Sequence, residues 1–571
     1  MTVVATAGHV DHGKSTLVRA LTGIDPDRWD EEKARGLTID LGFANLSLPS
    51  GRELSLIDVP GHIRFLRNML AGVGAVDGCI FVVSATEGWK PQSEEHLRIL
   101  DLLGIKHGVV ALTMTDLVDS DLLELAQRDV EEHIEGTFLD GAPVIPVAAT
   151  DGTGLSSLTL ALDGLVDRMG EPTDNDQPRL WVDRAFAPAG AGTVVTGTIT
   201  GGTIHVSDEL TILPGAQTAR VRGLQSHHRS SEEVVPGNRV AVNLTGVSHS
   251  ELARGHVVVR PEQWHRTSTF DAELNVLASL DHDVSRRGAY AVYIGSGEFP
   301  AKVRVLGPDK LAAGSSGSVR VYLKEALPLV AGDRYILRES GRDETIGGGQ
   351  VLDVEPVLPA SRATPDRSVE RVVAERGWVD AAHLSRLVGA VVEPNVGTWV
   401  VAPAALEETQ QEVRQLVEAA GALGLDVASL NEHQRAVLDV IEDVQVSTGR
   451  ATVGEPNDPL ADHPWVTELE DAPFNPPGPD GHDRTEVREL IRRGTVIEQD
   501  GAFFAATALD EAARVLAAAF VDSKGLTVAD VRDLLGTSRK YVLPILGYFD
   551  NNGITRRRDE IRIPGPRMPS V

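Results

Sequence analysis

Residues Gly8 to Ser15 read G-H-V-D-H-G-K-S, the spacing G-x-x-x-x-G-K-[ST] that holds a polyphosphate. The chemistry these residue types can do is electrostatic. Backbone N–H groups from Val10 to Ser15 can wrap a phosphate chain at a helix start, Lys14 can reach the β- and γ-phosphates, and Ser15 can hold Mg²⁺. The run Val3-Val4-Ala5-Thr6-Ala7 reads as a buried strand, and Ser15 to Leu21 opens a helix, which is the context the motif needs. Gly8, His9, Val10, Asp11, His12, Gly13, Lys14, Ser15 and Thr16 are therefore expected to line a nucleoside triphosphate.

Later segments refine this expectation. Leu54-Ser55-Leu56-Ile57-Asp58 is an apolar strand ending in a carboxylate, followed by Val59-Pro60-Gly61-His62. Asp58 suits a water-mediated contact with Mg²⁺, the Gly61 N–H can meet a γ-phosphate, and Thr38 can complete the metal set Ser15, Thr38 and Asp58. In this order and spacing the segments resemble the switch regions of translational GTPases, where D-x-P-G-H and R-G-[IL]-T-I are characteristic. Their base-reading N-K-x-D appears here as Thr113-Met114-Thr115-Asp116, and Val147-Ala148-Ala149-Thr150 stands where S-A-x is expected. Asp116 would accept from guanine, Met114 can cover the base with its thioether, and the backbone at Ala148 and Ala149 can meet guanine O6. Guanine is expected, with loosened affinity.

The elements that must position these residues follow from patterning. At about 150 residues per domain, 571 residues suggest roughly four domains. Residues 1–170 alternate strand-like and helix-like runs, as a parallel α/β sheet would. Gly170 to Pro178 is a polar linker, after which short alternating strands divide into β-barrels at 179–262 and 268–355. Beyond residue 360 the composition turns helical, and repeated helix-pair and hairpin units predict winged-helix modules over 360–507 and 508–571. One hairpin turn is expected at Asp500-Gly501. Cys79 is the only cysteine, so intrachain disulfides and multi-cysteine zinc sites are excluded and a reducing cytoplasm fits. The chain starts directly in a strand with no signal peptide, and no apolar run reaches transmembrane length, so no membrane is expected. A net charge of −29 excludes diffuse nucleic-acid binding over the whole surface.

Met1 to about Glu355 resembles elongation factors of the Tu class, and more narrowly the bacterial selenocysteine-specific elongation factor family. Glu32-Lys33-Ala34-Arg35-Gly36-Leu37-Thr38-Ile39-Asp40-Leu41-Gly42-Phe43 matches that family's E-K-x-R-G-x-T-I-D-L-G-[FY]. Val182-Asp183-Arg184-Ala185-Phe186 and Gly190 to Gly197 match its second-domain entry. The resemblance implies a P-loop GTPase domain, two β-barrels and C-terminal α+β winged-helix modules. It also implies GTP and Mg²⁺ as cofactors, with selenocysteinyl-tRNA, the ribosome and an mRNA selenocysteine-insertion hairpin as partners of a monomer. His62 would orient the attacking water past an apolar gate of Val10 and Leu37, with Lys14 and Thr38 completing the catalytic set. Arg184 and Arg239, with Asp183 beside them, would line an aminoacyl pocket. A selenol is an anion near neutral pH, and guanidinium groups stay charged and hold a fork geometry. The open alternative is a structural ion pair between Asp183 and Arg184.

The terminal unit carries seven Lys/Arg against three Asp/Glu from residue 537 to 571, a net of +4 in an acidic chain. Arg539 and Lys540 begin its second helix, which Pro544 should kink, and Arg556, Arg557 and Arg558, with Arg562, lie on the wing. The resemblance makes this the mRNA-binding surface, reading unpaired loop or bulged bases. Two other classes stay open: a general elongation or initiation factor, and a regulator whose tail binds DNA while the GTPase serves as nucleotide sensor.

Overall fold

The near-continuous apolar runs of the N-terminal region are what a sheet covered on both faces requires. The computed structural model describes residues 2–26, 38–61, 65–73, 76, 78–190, 192–227, 229–447, 449–454 and 460–570. They form two compact units, 1–402 and 403–571. The first begins with β1 (Thr2–Ala7), α1 (Lys14–Thr22), β2 (Gly42–Ser47) and β3 (Glu53–Asp58). It continues through α2 (Leu66–Val73), β4 (Gly78–Ser84), α3 (Pro91–Leu102), β5 (His107–Thr113), α4 (Ser120–Ile134), β6 (Val144–Pro146) and α5 (Leu155–Met169). The strand order is β2-β3-β1-β4-β5-β6, parallel except that β2 runs against β3. Val3, Ala5 and Ala7 enter one core and Val4 the other, the period-2 alternation of a strand buried on both sides. The nucleotide loop leaves the carboxyl end of β1, where open α/β sheets bind ligands.

Two antiparallel barrels follow. In the first, six strands from Arg179–Trp181 to Val257–Val259 close into a ring through the pairing of Glu209–Leu213 with Gln217–Ser226. The second is a closed six-stranded barrel whose strands run from Arg266–Val276 to Glu344–Asp353. On its outer face, beneath the chain at Leu358, Arg320 forks onto Asp271 at 2.6 and 2.8 Å, with both side chains buried. A first winged-helix module completes this unit. Its helices Val369–Arg376 and Ala381–Val388 are capped by Ser368 and Asp380, and strands Trp378–Asp380 and Trp399–Val401 pair beside them.

The second unit continues the helix-and-hairpin scheme. The expected turn is present, with Asp500 and Gly501 both at positive φ, as a two-residue hairpin joining Val496–Gln499 to Ala502–Ala505 demands. In the last module a Thr527–Asp530 capping box starts helix Val528–Leu534. Helix Arg539–Asn551 follows, then wing strands Thr555–Arg558 and Ile561–Pro564. Pro544 lies within that second helix, whose span is unbroken. Its missing N–H falls opposite the Lys540 carbonyl, at the helix's first turn, so only one early bond is forfeited. Among the described residues no helix is long and apolar enough to cross a membrane.

Truncating Arg320 to Ala should strand the buried Asp271 carboxylate and cost about 3–5 kcal/mol. The full chain should show this as a lowered unfolding midpoint, and the double change Arg320→Met with Asp271→Asn should recover most of it.

Candidate functional site

The first parallel pairing, β1 with β3, sets Thr6 beside Asp58. Thr6 Oγ1 donates to Asp58 Oδ1 at 2.8 Å and accepts from the Val59 N–H at 3.1 Å. Ser15 Oγ donates to Asp58 Oδ2 at 2.6 Å and lies 2.7 Å from Thr38 Oγ1. The three residues expected to share a metal ion therefore converge from α1, the end of β3 and the segment before β2. Their hydroxyl and carboxylate oxygens are the hard donors a magnesium ion takes, so the residues present fit it.

The phosphate loop is tightly built. A Cβ on Gly8, at φ +129°, would run into the Val82 carbonyl oxygen, and one on Gly61 would run into Lys14 Nζ. Both glycines are dictated by close approach rather than by turn propensity alone. The Gly8 N–H donates to His96 Nδ1 at 3.0 Å and the Val10 N–H to Gln92 Oε1 at 3.3 Å, both from α3. Burial pulls the His96 imidazole down to about 3, which keeps this nitrogen an acceptor. Lys14 Nζ donates to the carbonyls of His9 (2.7 Å) and Gly8 (3.1 Å). Burial lowers its ammonium to about 8, against the opposing pull of Asp58. His12 is buried beneath the loop and pushed down to about 4, again mainly by burial. His9 and Val10 are half-buried, and Asp11 and Thr16 are exposed.

On the base side, Thr113 Oγ1 donates to the His12 carbonyl at 2.7 Å, locking β5 to the loop. Met114 sits at φ +58°, with its Cε 3.7 Å from where a Cβ on Gly13 would stand. Asp116 is exposed and accepts from Thr150 Oγ1 at 3.0 Å. That bond brings the carboxylate and the Ala148-Ala149 turn together as one rim. His62 and Leu37 lie outside the described residues, as does the stretch from Glu32 to Gly36.

A second constellation joins the first barrel to β2. Asp183 is held bidentately by Arg239 Nη2, at 2.8 and 2.9 Å, and by Thr196 Oγ1 at 2.5 Å. Asp183 thus pairs across the barrel with Arg239, while Arg184 turns to the GTPase domain. There Arg184 donates to the Leu41 carbonyl and lies 3.6 Å from an Asp40 oxygen. Both guanidinium groups face the Phe43 ring, Arg239 at 3.5 Å and Arg184 at 4.7 Å from its centroid. Phe43, Arg184, Arg239, Thr196, Gln225 and His227 line a cavity of about 260 Å³. Arg239 Nε has no hydrogen-bond partner among the described residues, and burial lowers the pKa of its guanidinium. Sequence reading missed Phe43 and His227 as lining residues. It also missed Thr6, Gln92 and His96.

In the terminal module Arg539, Lys540, Arg556, Arg557 and Arg558 are all exposed. Arg562 is not free on the wing as expected. It is buried and lies 3.2 Å from Asp550, because alternation along Ile561–Pro564 points it inward.

The nucleotide loop, the cluster of Ser15, Thr38 and Asp58 and the two barrels define a translational GTPase of the elongation factor Tu class. Family profiles match accordingly: the elongation factor Tu GTP binding domain over residues 1–168 and its domain 2 over 192–259. Two narrower profiles also match, the selenocysteine-specific elongation factor beta-barrel domain over 271–357 and the elongation factor SelB winged helix over 519–563. The selenocysteine-specific elongation factor of Escherichia coli (strain K12) is 30% identical across 97% of both chains. That of Desulfomicrobium baculatum is 42% identical over 351 residues, 62% of this chain and 55% of its own length. The crystal structure of a bacterial selenocysteine-specific elongation factor superposes with a TM-score of 0.73 at 27% identity, covering 99% of each chain. The chain belongs to the selenocysteine-specific elongation factor family and is a translation elongation GTPase that binds guanine nucleotide.

Phosphate oxygens against Lys14 should raise its ammonium from about 8. Nucleotide binding at pH 8 should then take up about half a proton, and less than a tenth near pH 6.5. Calorimetry in buffers of differing ionisation enthalpy reads this directly, and no uptake at pH 8 would show that Lys14 is already charged.

Proposed function

We propose that the GTP-bound chain carries selenocysteinyl-tRNA to the ribosome at recoded UGA codons, while its last winged helix holds the mRNA selenocysteine-insertion hairpin. The protein works as a cytoplasmic monomer, with Mg²⁺ held by Ser15 and Thr38 and, through water, by Asp58. That ion would supply charge neutralisation between the β- and γ-phosphates. Lys14 and the N–H groups from Val10 to Ser15 stabilise charge on the transferred phosphoryl group. Asp116 reads guanine, aided by the turn at Ala148 and Ala149. On the ribosome His62 orients the attacking water, and hydrolysis releases the tRNA.

The observation that carries the reading is the paired-guanidinium cavity. Two fixed cations beside a small cavity favour a selenolate, whereas a neutral serine hydroxyl gains nothing comparable. Arg239 Nε adds a donor with no partner among the described residues. Arg184 also contacts Leu41, three residues from the metal-set Thr38, so the pocket and the nucleotide site share one stretch of backbone.

The deciding experiment is protection of the aminoacyl ester, comparing selenocysteinyl- and seryl-forms of one tRNA with GTP and with GDP. Protection of the selenocysteinyl form alone, and only with GTP, is expected. Arg184→Ala should reduce that protection at least tenfold with little change in nucleotide affinity; equal losses in both would remove the pocket reading.

For the wing, replacing Arg556, Arg557 and Arg558 together by Ala should weaken binding of the insertion hairpin. The slope of log K against log salt should fall by about 2–3. An unchanged slope, or tighter binding to duplex DNA than to the hairpin, would place the RNA contact elsewhere.

A further inference from the structure

Three metal-ligating side chains meet far from the nucleotide. His265 precedes the first strand of the second barrel, Glu355 follows its last strand, and His383 lies on helix Ala381–Val388 of the first winged-helix module. One ligand atom from each lies within 4.8 Å of the other two, and all three residues are half-buried. His383 Nε2 is 3.0 Å from Glu355 Oε2, and the two imidazole rings stand edge-on at 5.7 Å. All three belong to one compact unit.

We propose that His265, Glu355 and His383 form a divalent-metal site of the zinc type, clipping the first winged-helix module to the base of the second barrel. Two imidazoles and a carboxylate are donors zinc accepts at about 2.0–2.2 Å, with water or a further donor in the fourth position. Magnesium and calcium prefer all-oxygen sets, so the nitrogen donors separate this site from the nucleotide's own ion. Tetrahedral bonds of that length put ligand atoms roughly 3.4 Å apart. Side-chain rotation can supply the remaining approach.

The backbone around the ligands is already fixed. The Glu355 N–H donates to Asp353 Oδ1 at 2.8 Å, and the His383 N–H donates to Asp380 Oδ1 at 2.9 Å. The competing charges are those of Arg386 nearby and of Arg376, whose Nη2 lies 3.5 Å from Glu355 Oε2. That guanidinium also donates to the carbonyls of Val372 and Glu355, so it keeps two acceptors when the carboxylate turns to a cation. The three donors come from the inter-barrel linker, the exit of the second barrel and the winged helix. One ion would therefore fasten three segments at the place where the translation-factor body hands over to its C-terminal extension.

The test uses the full chain, stripped with a chelator and kept free of nucleotide. It is titrated with Zn²⁺ by equilibrium dialysis and with Co²⁺ as a visible-absorption probe. About one equivalent should bind saturably, with Co²⁺ giving the intense bands of a four- or five-coordinate nitrogen–oxygen site. His265→Ala with His383→Ala should weaken Zn²⁺ at least tenfold and abolish those bands while leaving GTP binding unchanged. Should that double variant misfold, His383→Gln decides by the same spectrum. Absence of saturable binding in the parent, or an unaltered spectrum in a folded variant, overturns the proposal.

Discussion

One carboxylate organises the GTPase half of the molecule. Asp58 ends β3, accepts from Thr6 on the neighbouring strand through one oxygen, and from Ser15 at the start of α1 through the other. A fully buried carboxylate is tolerable only when its lone pairs are met in this way. Those bonds fix where the phosphate loop sits relative to the sheet. The effect does not stop there, because β2 pairs with β3 in a register that puts Gly42 opposite Asp58 and Phe43 opposite Ile57. A one-residue slip would turn Phe43 to the other face of the sheet. The ring that both guanidiniums face is thus placed by the same strand end that carries Asp58.

That register gives the two sites a short physical connection. Asp40 accepts from Arg254 at 2.7 Å, and Arg254 reaches the Asp183 carbonyl at 3.1 Å and Asn68 of α2 at 2.7 Å. Five arginine-centred contacts, from Arg184, Arg239 and Arg254, therefore bind the first barrel to the segment between Thr38 and Phe43. Proximity of this kind is a route for coupling, and coupling itself is established only when both sites bias one two-state element.

What was legible in the sequence was whatever is written in consecutive residues. The phosphate loop, the Asp58 strand end, the alternating barrel strands and the Asp-Gly hairpin all carry local spacing or periodicity, and all are present. The misses share a different origin. His96 and Gln92 reach the loop from α3, some 80 to 90 residues on, and Thr6 acts through a neighbouring strand. His227, which as half of a His-His pair read as an ordinary surface residue, lines the cavity because its backbone turns at φ +51°. Arg562 read as part of a basic wing, yet period-2 alternation sends it inward to Asp550, leaving Arg556, Arg557 and Arg558 as the wing's exposed charge. Composition counts charges; only the pleat decides which of them meet water.

The nucleotide loop itself explains why a loosened base-reading motif is workable. Its groups already have partners: Gly8 with His96, Val10 with Gln92, and Lys14 with two loop carbonyls. A phosphate chain must exchange with some of these bonds rather than simply add to them, so the net gain per contact is modest. Met114 replaces a lysine stem with an uncharged thioether, and its sulfur accepts from Ser84 Oγ at 3.3 Å instead of bracing the loop electrostatically. A switch between GTP and GDP requires contacts that only the γ-phosphate makes.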